Sequence, residues 1–313
     1  MYTNERFAKK NGFKPKLEGL EDRWCPSAAV AVHQGVLVIR TDHANDTVAI
    51  TDDGQGNVSA TISGAESASA SGDHVHAIIL QANGGSDSIS YQLTGTLQTN
   101  ENLALFLNHG NDTMTLDFGA GVGATRLRVG IVDHGGSDNI TANFGTLTNS
   151  TVRFGANFAR GNDSLTVNLN GNLVGPVDAV FGISGMRGND MFQVNGTANI
   201  DVAANLTVIM SGLRGNDQMG VNYEGQVNGN LLVGVHGHRG SDTITENITA
   251  DPSSNGNIIA RVSGAFGDDT LTLNVTDNSG NGGPSTLHFL NARIRKSHGN
   301  DTVSHTPNVG VIG

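Results

Sequence analysis

The chain has 313 residues, a net charge of −11, 43 glycines, one cysteine and one tryptophan. The acidic balance argues against a nucleic-acid or anionic-membrane partner. A single Cys excludes an intrachain disulfide framework and a thiolate zinc cluster, and no run of eighteen apolar residues offers a transmembrane helix.

In chain order, residues 1–27 come first and differ from the rest. They hold six basic and four acidic groups and four of the five lysines, whereas the body beyond holds 12 basic and 25 acidic groups. The segment lacks the apolar stretch of a secretory signal, and by composition it reads as a basic, weakly helical or flexible tail. The run Leu17-Glu18-Gly19-Leu20-Glu21-Asp22-Arg23-Trp24-Cys25-Pro26-Ser27 resembles the LExLEDR-type leader of planctomycete exported and surface proteins. That resemblance implies a bacterial protein that is secreted or held at the cell surface, with trimming near Ser27. The leader is therefore assigned to residues 1–27 and the folded domain to 28–313, with 28–80 an irregular first turn. Within that turn, residues 34–63 read as a hairpin through Asp52-Asp53-Gly54 that caps the domain.

From residue 43 onward one phrase recurs ten times, as in HGNDTMTL, RGNDSLTV and FGDDTLTL. Its aspartates are Asp46, Asp87, Asp112, Asp138, Asp163, Asp190, Asp217, Asp242, Asp269 and Asp301, and seven of the nine intervals between them are 25–27 residues. A fixed period of this size means repeated supersecondary units. Two residues before the Asp, Gly stands in nine of ten copies, which suits a turn with φ > 0. Two residues after it every copy is apolar, and most are apolar again at four, the period of a strand with one buried face. A second β-rich run precedes each turn, for instance Leu127–Val132, Leu206–Met210 and Ile258–Val262. A short Gly/Asn-rich stretch between the two runs offers a third strand. No segment beyond residue 27 shows a capped helical period.

A unit of about 26 residues cannot bury an apolar face alone, whereas coils stacked on one another bury a continuous core. The expected fold is all-β: a parallel β-solenoid, or β-helix, of about ten turns. A sandwich or propeller is the alternative, but the units are too short for four-stranded blades. Excess residues at 65–72, 251–255 and 278–285 all fall after the motif strand and so are placed in loops on one edge.

Stacking superposes the aspartates, and two carboxylates 4.8 Å apart repel by about 3.5 kcal/mol at an effective dielectric near 20. Three devices relieve this. In the first, the phrase G-[NS]-D resembles the latter part of the nonapeptide of repeats-in-toxin (RTX) proteins. The resemblance implies oxygen ligation of Ca²⁺ between turns, with candidate ligands Asp87, Asp112, Asp138, Asp163, Asp190, Asp217, Asp242, Asp268, Asp269 and Asp301. Asp268-Asp269, a doubled carboxylate, heads that list. This chain has one such phrase per turn rather than tandem copies, and only Gly185, Gly212, Gly237 and Gly264 match the nonapeptide's first glycine. In the second device, basic residues three before the Asp (His43, His109, Arg160, Arg187, Arg214, Arg239 and His298) neutralise the column through charge-assisted bonds. In the third, each carboxylate caps backbone N–H groups of its own turn, and the Asn beside it stacks as an amide ladder.

No nucleophile elbow or phosphate loop occurs, and His236 and His238 read as two solvated neighbours on one strand face. The leading functional reading is a non-enzymatic, exported structural or adhesive solenoid, partnered by surface polysaccharide or other matrix proteins, with calcium as the candidate ion that rigidifies it. A polysaccharide-lyase-like β-helix enzyme is the alternative, against which stands the scarcity of aromatic platforms. A spacer within a larger assembly is a third class.

Overall fold

The computed structural model describes residues 28–277, 287, 289–296, 298–307 and 310–312. The leader assigned to 1–27 and the excess segment 278–285 lie outside the described residues. Among the described residues every element is a strand, and the coils form a parallel β-solenoid.

Each coil contributes one strand to each of two broad sheets. A long strand such as Thr151–Arg160, Asp178–Arg187 or Asn205–Arg214 enters the first sheet, and the shorter strand after the Asp, such as Ser164–Leu169 or Met191–Gly196, enters the second. The runs expected to precede and follow each Asp-bearing turn are these two strands. Register is kept from coil to coil, so that equivalent residues form columns, as in Val152–Ala179–Leu206–Leu231–Ile258 and Ile140–Leu165–Phe192–Met219–Ile244–Leu271. The period-two pattern turns those columns inward, where they are almost wholly buried. The few aromatics stack across coils, Phe118 on Phe144 with ring centroids 5.0 Å apart and Phe158 on Phe192 at 5.5 Å.

The third strand of each coil shrinks to one or two residues. Leu97, Val122, Leu147, Leu173, Ile200 and Val227 pair in sequence along a narrow third edge, each at most 1% exposed. One apolar residue per coil suffices to close the core there, and the flanking Gly and Asn residues make the bends.

The N-terminal end is closed by antiparallel pairs. Ala29–His33 folds back on Val36–Arg40 through Gln34 and Gly35, both left-handed (φ 49° and 74°), as a two-residue hairpin requires. Thr47–Asp52 pairs antiparallel with Val58–Ser63, the hairpin expected through Asp52-Asp53-Gly54. The Asp53 carboxylate accepts bonds from the Gln55 and Asn57 backbone N–H groups and the Asn57 amide, which holds its pKa below the usual range. One expectation is corrected here. Of the excess residues at 65–72, Ala68–Gly72 is no loop but a further antiparallel strand beside Val58–Ser63, because the alternation of Ala and Ser in ASASG lets it lie flat on the sheet edge.

Candidate functional site

The corner between the first and second sheets carries the repeated phrase, and its chemistry follows from where its backbone N–H groups go. A Gly two residues before the Asp breaks the strand with positive φ, for example 146° at Gly188 and 134° at Gly215. Its N–H still donates to the next coil, as from Gly188 to the Arg214 carbonyl at 3.1 Å. The neighbouring coil makes Gly obligatory here: a Cβ on Gly188 would lie 1.4 Å from the Gly161 carbonyl oxygen, and one on Gly215 1.5 Å from that of Gly188.

Turning the chain leaves the next two N–H groups without carbonyl partners, and side chains replace them. The residue before the Asp accepts from the following coil: Asn162 Oδ1 from the Asn189 N–H, and Asn189 Oδ1 from the Asn216 N–H, both at 2.8 Å. The Asp accepts from the preceding coil. Asp87 Oδ1 receives the Asp46 N–H at 2.8 Å, and the series continues through Asp112, Asp138, Asp163, Asp190, Asp217, Asp242 and Asp269 to Asp301. Nine bonds, 2.7–3.2 Å long, thread the ten aspartates in single file.

Capping is thus the role the carboxylates have, but across coils and not within the turn. The Asn beside the Asp likewise caps backbone instead of stacking amide on amide. True amide ladders occur elsewhere, at Asn143–Asn168–Asn195 and Asn222–Asn247–Asn274, five residues beyond the Asp. The recurrence of Asn at that offset is the sequence signal for them.

The column is buried from Asp46 to Asp269, and Oδ2 of Asp138, Asp190, Asp217, Asp242 and Asp269 has no hydrogen-bond partner. In four coils that oxygen fills the notch of a glycine five residues earlier: a Cβ on Gly185, Gly212, Gly237 or Gly264 would lie 1.9–2.1 Å from Oδ2 of Asp190, Asp217, Asp242 or Asp269. These are the glycines that match the RTX nonapeptide. Here they make room for a carboxylate. Burial, with neighbouring carboxylates adding to it, raises the column's pKa values, to about 7 at Asp112, Asp190 and Asp242 and about 6 at Asp163. Asp138 is raised for the same reason.

The basic row three residues before the Asp does not neutralise this column. His43, His109, Arg160, Arg187, Arg214, Arg239 and His298 are all exposed, and among the described residues the ion pairs are His74–Asp73 and Arg153–Asp178. The positive-φ Gly lies between the two rows, so one faces out while the other faces in. The doubled carboxylate also divides. Asp269 is buried in the column, whereas Asp268 is exposed and its Oδ1 accepts the Asn300 N–H at 2.8 Å, the role Asn has in other coils.

One coil departs from the pattern. Asp133 stands five residues before Asp138, where four later coils have Gly and the next one has Phe158. One carboxylate oxygen from each of Asp133, Asp138 and Asp163, all buried, lies within 4.8 Å of the others. Asp133 Oδ1 accepts the Gly135 N–H at 2.8 Å, and Asp138 Oδ2 is unpaired. An all-oxygen set of this kind is what a hard divalent cation takes. Sequence reading passed over Asp133, whose only signal was a carboxylate replacing a small or apolar residue at that offset.

Two further buried acids went unread. Glu246 is wholly buried in the core column between Val221 and Leu273, and both its oxygens are unpaired. Glu101, 1% exposed, is likewise unpaired, and burial together with Asp52 raises its pKa to about 8. His236 and His238 are half-buried neighbours with ring centroids 6.1 Å apart. No protein-family model, curated protein or solved structure matches the chain.

Proposed function

We propose that the chain is a non-catalytic, exported structural or adhesive rod of a bacterial cell surface or matrix. One observation carries this reading: the most regular chemical group of the sequence, the Asp column, is bonded coil to coil through its own backbone N–H groups, so its recurrence serves the rod. The resemblance of residues 17–27 to an export leader supports the location, and no helix among the described residues is long and apolar enough to cross a membrane. Surface polysaccharide and other matrix proteins are the partner classes that suit such a rod. Fractionation of the native host tests the proposal, with recovery at the surface or in the medium expected. Recovery in the cytosol, or release of reducing ends or unsaturated products from polyuronates by the purified chain, sinks it.

Calcium enters at one place. Where Gly faces Oδ2 the notch is filled by the carboxylate itself, so those coils do not suit an RTX-type ion. The Asp133–Asp138–Asp163 set does suit one, and its ion would neutralise the most crowded carboxylates. Thermal melts at pH 8 in EGTA and in millimolar Ca²⁺ test this, since a ligand of the folded state alone raises the midpoint. The expected rise vanishes in Asp133→Asn; an unchanged wild-type midpoint rejects the ion.

A further inference from the structure

The outward row beside the Asp corner is a feature that construction of the rod does not require. Position three before the Asp is Arg in four successive coils, then Phe266 and His298. Register pairs Arg160 with Arg187, Arg214 with Arg239 and Arg239 with Phe266, so the row repeats at the inter-strand spacing of about 4.8 Å. Four of the body's eleven arginines converge on this one track of a domain with 25 acidic and 12 basic groups. None joins an ion pair among the described residues. The corner does not need them: Phe266 occupies the same place, and its carbonyl accepts the Gly240 N–H at 2.9 Å as the Arg carbonyls do in other coils.

The backbone beneath the row is arranged to present it. Leu213, His238 and Ala265, one residue earlier, are left-handed (φ 70°, 77° and 81°), at a cost of about 1–2 kcal/mol each for a residue with a Cβ. The break in alternation turns this residue and the following one outward together, and strain of this kind tends to be kept at working surfaces. Met186, Leu213, Arg187, Arg214, Arg239 and Phe266 thereby line a groove of about 420 Å³. Phe266 and Met186 are each 52% exposed. The Phe266 ring stacks on His298 at 5.0 Å and lies 6.0 Å from the Arg239 guanidinium.

We propose that this groove binds a linear acidic polysaccharide carrying a carboxylate on successive sugars, laid along the rod axis. Its charges meet the arginine row and the apolar face of a sugar ring meets Phe266. Four guanidinium positions spread over three inter-strand steps are too far apart to share one compact anion, which selects a polymer. The apolar floor suits sugar C–H faces. An anionic bilayer is planar and cannot follow a single track along one corner of the rod. The export reading says only where such a polymer would be met, and binding is independent of it.

The test is calorimetric titration of the full chain with polygalacturonate at low salt. Binding is expected, weakened tenfold or more in R187S/R214S, with the slope of log affinity against log salt reduced by about 2, one per lost contact. F266A weakens polygalacturonate binding but not that of poly-glutamate. R126S/R128S, which removes two exposed arginines elsewhere on the first sheet, leaves the affinity within about twofold, because distant sites act independently. Melting midpoints of all variants verify folding. No binding by the wild type, an equal loss in R126S/R128S, or equally tight binding of poly-glutamate or phosphatidylserine vesicles overturns the proposal. None of these outcomes bears on where the protein resides.

Discussion

A methyl group added at Gly188 would sit 1.4 Å from a carbonyl oxygen of the coil before, at φ 146°, while the same methyl at Gly182 would meet nothing within 4 Å. Gly188→Ala is therefore expected to cost at least about 3 kcal/mol in urea melts, at the severe end for one substitution. Gly182→Ala is expected to be neutral or to stabilise by about 0.5 kcal/mol through the unfolded chain. Equal effects would show that the coils do not stack as described. Only half of this was legible in the sequence. A turn needing φ > 0 was evident from Gly two residues before the Asp, but the carbonyl occupying the place of the absent Cβ belongs to another coil. Glu246 makes a second case at this scale. Its column otherwise holds Val221 and Leu273, and burial alone raises its pKa well above the carboxylate range. Glu246→Val should stabilise the fold by about 2 kcal/mol at pH 8, since an unpaired buried charge or its protonated form is replaced by a packed apolar group. The gain should shrink toward pH 5, where the native state holds the Glu proton at less expense.

At the scale of the coil, the corner is a device for replacing two lost backbone partners with two side-chain oxygens, one accepting from above and one from below. That makes the acceptor, and not the charge, the property the Asp supplies. Asp190→Ala should cost about 1–3 kcal/mol, the penalty for stranding the buried Asp163 N–H. Asp190→Asn keeps an oxygen for that N–H and removes a charge from a buried file, so it should match the wild type at pH 5 and exceed its stability at pH 8. A loss for Asn as large as that for Ala would instead mean that the negative charge itself is needed, as a bound cation would require. The alternation and the 25–27-residue interval made the paired sheets readable in advance. Direction of capping was not readable, because a lone Gly-Asn-Asp phrase is satisfied equally well by its own turn. The outward aim of Arg160, Arg187, Arg214 and Arg239 was hidden for a related reason: one residue with φ > 0 between two rows is enough to send them to opposite sides.

Across the whole rod these local choices add up to a pH response of definite sign. Asp112, Asp163, Asp190 and Asp242 have native pKa values of about 6–7, and Asp46, Asp87, Asp138, Asp217 and Asp269 are raised as well, against an ordinary value of 3.8. Groups raised on folding take up protons as the chain folds. Their contribution to stability is full below the unfolded value and is lost as pH rises through the native values. Each net proton so taken up changes stability by about 1.4 kcal/mol per pH unit, and in a solenoid such per-coil terms add along the stack. The melting midpoint should accordingly climb as pH falls from 8 to 5, contrary to proteins whose carboxylates are held by salt bridges. Asp190→Asn with Asp242→Asn should flatten that slope, because two of the titrating groups are gone while the bonds they accept remain. Calcium should raise the midpoint at pH 8 and little at pH 5, where protons already neutralise the Asp138 neighbourhood. A profile that is flat from 5 to 8 in the presence of EGTA would mean that the file of carboxylates remains ionised without help, and the account of the corner as a chain of desolvated acceptors would have to be given up.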